Sequence, residues 1–174
     1  HHRDETGQSM LNSTAFSTKA VAVKKIPGGS NVNLKWQSSL DGVSWIDLCE
    51  LYKIAPLGEK DPVALETVFS NSMYKFFAYH DGKIVGVGRA LADGADCSYI
   101  CDVAVHPDFQ GTGLGKEILS RLTKASHSHK KIILYSVPGK EDFYKKFGFR
   151  RMTTAMAIFA DPEKATSAGY LKQD

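Results

Sequence analysis

The sequence predicts an α/β domain in which one central sheet is covered by helices. Three observations lead there. Strand-like and helix-like patterns alternate from residue 33 onward. Two β-rich runs, 73–80 and 83–91, meet at Asp81-Gly82, a pair that suits the positive-φ turn of a hairpin. A third run, 98–105, is stopped by Pro107 and leads through Gly111, Gly113 and Gly115 into a helical pattern.

The elements follow in order. Residues 33–37 read as a first strand. Residues 44–54 read as an amphipathic helix, with Trp45, Leu48, Cys49 and Tyr52 on one face and Ser44 as N-cap. Residues 62–71 form a second helix, with Asp61 as cap and Pro62 at its first position. The hairpin and the strand at 98–105 come next. Residues 114–126 form a helix with Leu114, Ile118, Leu122 and Ala125 on one side. A strand at 132–136, a helix at 140–147 and a last strand at 152–159 complete the reading.

The 174 residues suit one domain, placed at 32–174. Residues 1–31 read as a polar N-terminal tail that ends in Pro27-Gly28-Gly29-Ser30 and has only Val21-Ala22-Val23 as a strand-like run. His1 and His2 look like an affinity-tag remnant, with Met10 a candidate native start. No apolar run approaches the ~20 residues of a membrane span. Three cysteines at spacings that suit no zinc site indicate a reducing compartment, and the reading is a cytoplasmic protein with no metal centre. Lys19, Lys24 and Lys25 are compatible with an organellar address, against which Asp4 and Glu5 count. Residues 106–151 carry ten Lys and Arg against four Asp and Glu, while residues 1–105 carry ten against twelve. A basic half suits a phosphate-bearing ligand and a slightly acidic half suits a cation. Nucleic-acid binding calls for a denser basic stripe, so no such partner is expected.

The glycine loop is the most informative segment. Glycines let main-chain N–H groups reach an anion at the positive end of a helix dipole. The spacing is not that of a dinucleotide fingerprint, and Gly115-Lys116 is followed by Glu117 rather than the hydroxyl residue of a nucleotide-triphosphate loop. A plain strand-to-helix turn is the bland alternative. The second informative segment is Glu141-Asp142-Phe143-Tyr144-Lys145-Lys146-Phe147-Gly148-Phe149. Its acidic start and Gly148 suit the two ends of a helix, and Phe143 and Phe147 share a face.

Gln110-Gly111-Thr112-Gly113-Leu114-Gly115, preceded by Val103-Ala104-Val105 and Pro107 and followed by Phe143, Tyr144, Gly148 and Phe149, resembles the GCN5-related N-acetyltransferase (GNAT) superfamily over residues 32–160. That resemblance implies a mixed, mostly antiparallel sheet that splays open near the strand at 98–105. It also implies acetyl-coenzyme A as cosubstrate, with its pantetheine arm along Val103, Ala104 and Val105. The diphosphate is then expected on the amides of Gln110, Gly111, Thr112, Gly113, Leu114, Gly115 and Lys116. Ser136, where many members carry an asparagine, together with Phe143 and Lys146, completes the expected cofactor set. A homodimer is compatible with the family.

Acyl transfer to an amine needs a proton for the departing thiolate and a sink for the proton of the amine. Tyr144 is the expected general acid, since a phenol keeps its proton near pH 7. Asp102 is the leading base, the alternative being that it holds substrate by charge or only orders its strand. Tyr99 stands where other members have a glutamate and is a poor base, and His106 reads as a loop residue. A covalent route through Cys97 or Cys101 lacks an activating histidine, so direct attack in a ternary complex is favoured. The expected function is N-acetylation of a small primary amine. Acetylation of a protein lysine or N-terminus, and a non-catalytic acyl-CoA-binding regulatory domain, are the competing readings. Acceptor choice is expected in the loops at 36–62, 91–99 and 150–158.

Overall fold

The computed structural model describes residues 33–174. The tail expected at 1–31 lies outside the described residues. Five strands form one sheet in the order β1-β2-β3-β4-β5. They are β1 (Lys35–Gln37), β2 (Tyr74–His80), β3 (Lys83–Ala92), β4 (Cys97–Val105) and β5 (Lys131–Ile133). The first four pair antiparallel and β5 runs parallel to β4, so the sheet is mixed and mostly antiparallel.

Helices cover both faces. On one lie α1 (Trp45–Ile54) and α2 (Pro62–Ser70), capped by Ser44 and Asp61 as expected. Leu48, Leu51, Tyr52, Leu65 and Phe69 pack there against Phe77, Val87 and Ala104. On the other lies α3 (Leu114–Ala125), whose Leu114, Ile118, Leu119 and Leu122 meet Val85, Ala90 and Ile100. Gly88 lets that helix approach. A Cβ at this position would lie 2.7 Å from Ile118 Cγ2 and 2.8 Å from Leu122 Cδ1. The close approach fixes where the start of α3, and so the glycine loop, sits against the end of β4.

Two irregularities in β4 shape the site. Its pairing with β3 runs Val87 to Ala104 and then Arg89 to Cys101, so β4 carries one extra residue at Asp102-Val103. Asp102 takes φ +55° to absorb it. Pairing with β5 covers only Cys97–Tyr99, after which the two strands part. The splay expected near 98–105 is therefore present, and the bulge lies beside it.

The C-terminal region corrects the sequence reading. Residues 152–159 are expected as a last strand, yet they pair with no strand among the described residues. An uncharged, largely apolar run is ready to pair, and pairing also needs an edge within reach. A short helix, α5 (Pro162–Ser167), capped by Asp161, follows, for which the sequence carries no expectation. Helix α4 is confined to Glu141–Lys145.

Candidate active site

The splay between β4 and β5 opens a cleft of about 190 Å³. Tyr99 to Val103 of β4 form one wall, and Leu134, Tyr135 and Val137, which follow β5, form the other. Tyr144 of α4, Tyr170 after α5, and Leu57 and Lys60 of the loop before α2 complete the lining. Tyr144 and Asp102, separate in sequence, thus face one space.

Asp102 is held from two directions, and Arg89, one of its partners, is itself anchored. Arg89 Nε on β3 donates to its Oδ2 at 2.7 Å. The Tyr52 hydroxyl of α1 donates to its main-chain oxygen at 2.7 Å. The other end of Arg89 reaches the Ser72 hydroxyl at 3.2 Å. The Arg89 side chain is 11% exposed and that of Asp102 27%, so water screens the ion pair only in part. A non-glycine residue at positive φ costs roughly 1–3 kcal/mol, and these contacts supply the compensation. The sequence reading missed Arg89 and Tyr52. The signal was present in Arg89, a lone charge within the apolar run Ile84–Leu91.

Tyr144 and Tyr99 stay protonated near neutrality. Burial pushes Tyr144 above its usual range and the nearby Tyr170 phenol adds to that. Burial likewise drives Tyr99 well upward, with Tyr135 stacked beside it at 6.3 Å between centroids. Tyr99 is thus no base near neutrality. Burial pushes the Cys101 thiol up to about 11, which removes it as a nucleophile at neutral pH. His106 caps the turn at Pro107–Phe109 by accepting the Asp108 N–H at 3.1 Å, a structural task.

The glycine loop leads into α3 at the foot of β4. Gly111 and Gly113 have φ +79° and +89°, and a Cβ built on either meets nothing within 4 Å. Gly113 is the N-cap of α3 and has no side chain to bond the first turn. The N–H groups of Gly111, Gly113, Leu114, Gly115 and Lys116 have no acceptor among the described residues, whereas Thr112 gives its own to Phe109 at 3.3 Å. Five unengaged donors at a helix N-terminus fit an anionic diphosphate. Gln110 and Thr112 thus differ from their expected role, their N–H groups being held inside the loop by the Pro107 and Phe109 carbonyls, each at 3.3 Å. Phe143 packs against this segment, 3.9 Å from a Cβ built on Gly115. Lys146 is exposed, and Ser136 lines a second, neighbouring cleft with Arg150 and Arg151. Of the loops expected to choose the acceptor, 36–62 and 91–99 reach the first cleft through Leu57, Lys60 and Tyr99, while 150–158 borders the second.

A family model described as an acetyltransferase (GNAT) domain matches residues 58–157, which hold the bulge, the splay, the glycine loop and Tyr144. The chain belongs to the GNAT acetyltransferase family. As a GNAT protein it is an N-acetyltransferase, and enzymes of this family take their acyl group from acetyl-CoA. It is 33% identical over 129 residues to an N-acetyltransferase, ycf52, of Pyropia yezoensis, covering 71% of this chain and 68% of that one. It is 36% identical over 70 residues to a chloroplastic serotonin N-acetyltransferase 2 of Oryza sativa, covering 39% of this chain and 35% of the other. A solved structure of a probable acetyltransferase from Staphylococcus aureus superposes with a TM-score of 0.65 at 25% identity, covering 72% of this chain and 98% of that one. The GNAT match ends at residue 157, so Tyr170 enters the cleft from a segment outside the matched domain. No helix among the described residues is long and apolar enough to cross a membrane.

Proposed function

We propose that this GNAT enzyme acetylates the primary amine of a small molecule by direct attack on the thioester of acetyl-CoA. The observation that carries this reading is the meeting of Tyr144 and Asp102 in one cleft. The amine nitrogen bonds to the thioester carbonyl carbon, the carbon–sulfur bond breaks, and the leaving thiolate takes the Tyr144 proton. The proton given up by the amine restores the phenol. Asp102, whose position Arg89 fixes, holds the incoming ammonium with Oδ1 and directs its proton toward water. The main-chain N–H of Val103, at the bulge, is the proposed donor to the thioester oxygen. One such donor is worth roughly 3–4 kcal/mol in a transition state.

Size and lining favour a small acceptor. The cleft is about 190 Å³, below the ~300–1,000 Å³ of pockets for drug-sized ligands. Tyr99, Tyr135 and Tyr170 give it aromatic walls, with Asp102 the acidic group in its lining. An amine on an apolar or aromatic body suits such walls, and the rice relative carries an aromatic amine in its name. The test is turnover of acetyl-CoA, read by thiol release, against a panel of arylalkylamines, alkylamines of matched length, free amino acids and lysine peptides. Small aromatic amines are expected to give the highest kcat/KM. Preference for the peptides transfers the function to proteins. Equal background for wild type and Tyr144→Phe across the panel leaves a non-catalytic acyl-CoA-binding domain.

A further inference from the structure

The cleft carries two charged side chains of opposite sign. Among its described lining residues, Asp102 and Lys60 are the only members of the set Asp, Glu, Lys, Arg and His. Asp102 is already matched by Arg89. Lys60 pairs with no carboxylate among the described residues. Its acidic neighbours in the chain are turned to other uses. The Asp61 carboxylate accepts the Ala64 N–H at 2.9 Å as the cap of α2, and Glu59 is exposed and outside the lining. A half-buried ammonium without a partner keeps much of its field inside the cleft. One tyrosine holds both charges. The Lys60 Nζ lies 5.6 Å from the centroid of the Tyr52 ring, within cation–π reach. The Tyr52 hydroxyl donates to the Asp102 main-chain oxygen at 2.7 Å. Tyr52 is fully buried, and its own main-chain oxygen accepts the Leu57 N–H at 2.7 Å, which ties down the start of the Lys60 loop.

We propose that Lys60 is a charge filter for the acceptor, admitting amines with a single positive charge and turning away those with a second. This inference rests on the reading of the cleft as a small-amine site. With the reacting ammonium drawn to Asp102, the far end of the acceptor shares a space of about 190 Å³ with the Lys60 field. A second ammonium there meets like charge in surroundings that screen it poorly, and it finds no further carboxylate in the lining. A hydroxyl or ether oxygen at the same place accepts from the Lys60 Nζ instead. The acceptor class is thus a monoamine whose far end is apolar or oxygen-bearing. Diamines and longer polyamines are excluded.

The experiment compares a terminal diamine with the amino alcohol of equal chain length. It reads their dissociation constants from the CoA-bound enzyme and their kcat/KM with acetyl-CoA. Both ligands carry an ammonium at neutral pH, and only the far end differs. Wild type is expected to favour the amino alcohol by about tenfold or more, and that preference should shrink as salt rises. Lys60→Gln should cut the preference about tenfold and remove its salt dependence. Lys60→Glu should reverse it, and Lys60→Arg, which keeps the charge, should retain it. A wild type that takes both ligands equally overturns the filter and leaves small-amine acetylation standing. So does a preference that survives both Lys60→Gln and Lys60→Glu. Failure of every small amine to bind or react with wild type overturns the filter and the small-amine reading together.

Discussion

Tyr144 shows how environment makes an ordinary side chain fit for a task. Burial and the neighbouring Tyr170 phenol both raise its pKa, so the proton needed by a thiolate is present throughout the neutral range. Removing the hydroxyl while keeping the ring should cut kcat by about 10²–10⁴-fold and leave the dissociation constant of acetyl-CoA unchanged. Steady-state kinetics with a direct binding measurement checks this. The pH profile follows from the sign of the shift. Activity that depends on the protonated phenol should persist through neutrality and decline only above about pH 10, and that decline should vanish in Tyr144→Phe. Asp102 makes a second prediction. Asparagine tolerates the same positive φ, so Asp102→Asn removes the charge with little strain. KM for the amine should rise about tenfold or more, with that for acetyl-CoA within about twofold, since one charge-assisted bond is worth ~1.5–3 kcal/mol. Equal changes in both constants would sink the anchoring role. Tyr144 was legible because its motif repeats a known order of residues. Arg89 and Tyr52 were not, because their roles exist only once β3 and α1 lie beside the bulge.

At the scale of elements, the close contact of α3 with the sheet positions the glycine loop, and Gly88 permits that contact. Gly88→Ala sets a methyl 2.7 Å from Ile118 and 2.8 Å from Leu122. Overpacking of this kind costs typically 1–3 kcal/mol, so denaturant melts should show a lower midpoint at unchanged slope. The turn between β3 and β4 carries a separate pH dependence. Asp93 accepts the N–H groups of Ala95, Asp96 and Cys97. Those bonds hold its carboxyl at about 2, against the ordinary ~3.9. The folded value is the lower one, so the contribution is present above pH ~4 and is lost as pH falls toward 2. Thermal melts of wild type should show a drop in that window that Asp93→Asn flattens. Most elements were readable in the sequence because their signals are local, such as Ser44 and Asp61 as caps or Asp81-Gly82 as a turn. The segment 152–159 has the apolar content of a strand but no strand partner among the described residues, and α5 is too short for a periodic signal.

The whole molecule brings two ligand regions to one sheet. In the proposed reaction the loop at 111–116 grips acetyl-CoA and the splayed β4–β5 cleft holds the reacting groups, with α3 and β4 setting the distance between them. Acetyl-CoA at about 100 times its dissociation constant should stabilise the fold by ~2.7 kcal/mol, a rise in Tm of roughly 5–10 °C. Gly113→Val forces a β-branched residue to φ +89° and places its side chain in the loop's open face. The Tm rise should shrink to near zero in this variant while its ligand-free Tm falls only modestly. A full rise in Gly113→Val would mean that the diphosphate sits elsewhere.

By itself the sequence determined the kind of molecule this is. The glycine loop, the hairpin turn, the helix caps and the order of the two motifs are carried by residues near one another in the chain, and local physics is enough to read them. Tertiary structure alone decided the working geometry. The extra residue in β4 throws Asp102 onto Arg89, β5 parts from β4 after Tyr99, and Tyr170 returns from the chain's far end to wall the cleft. Each of these depends on which strand pairs with which and in what register. Such contacts join residues far apart in the chain, and no local pattern encodes them.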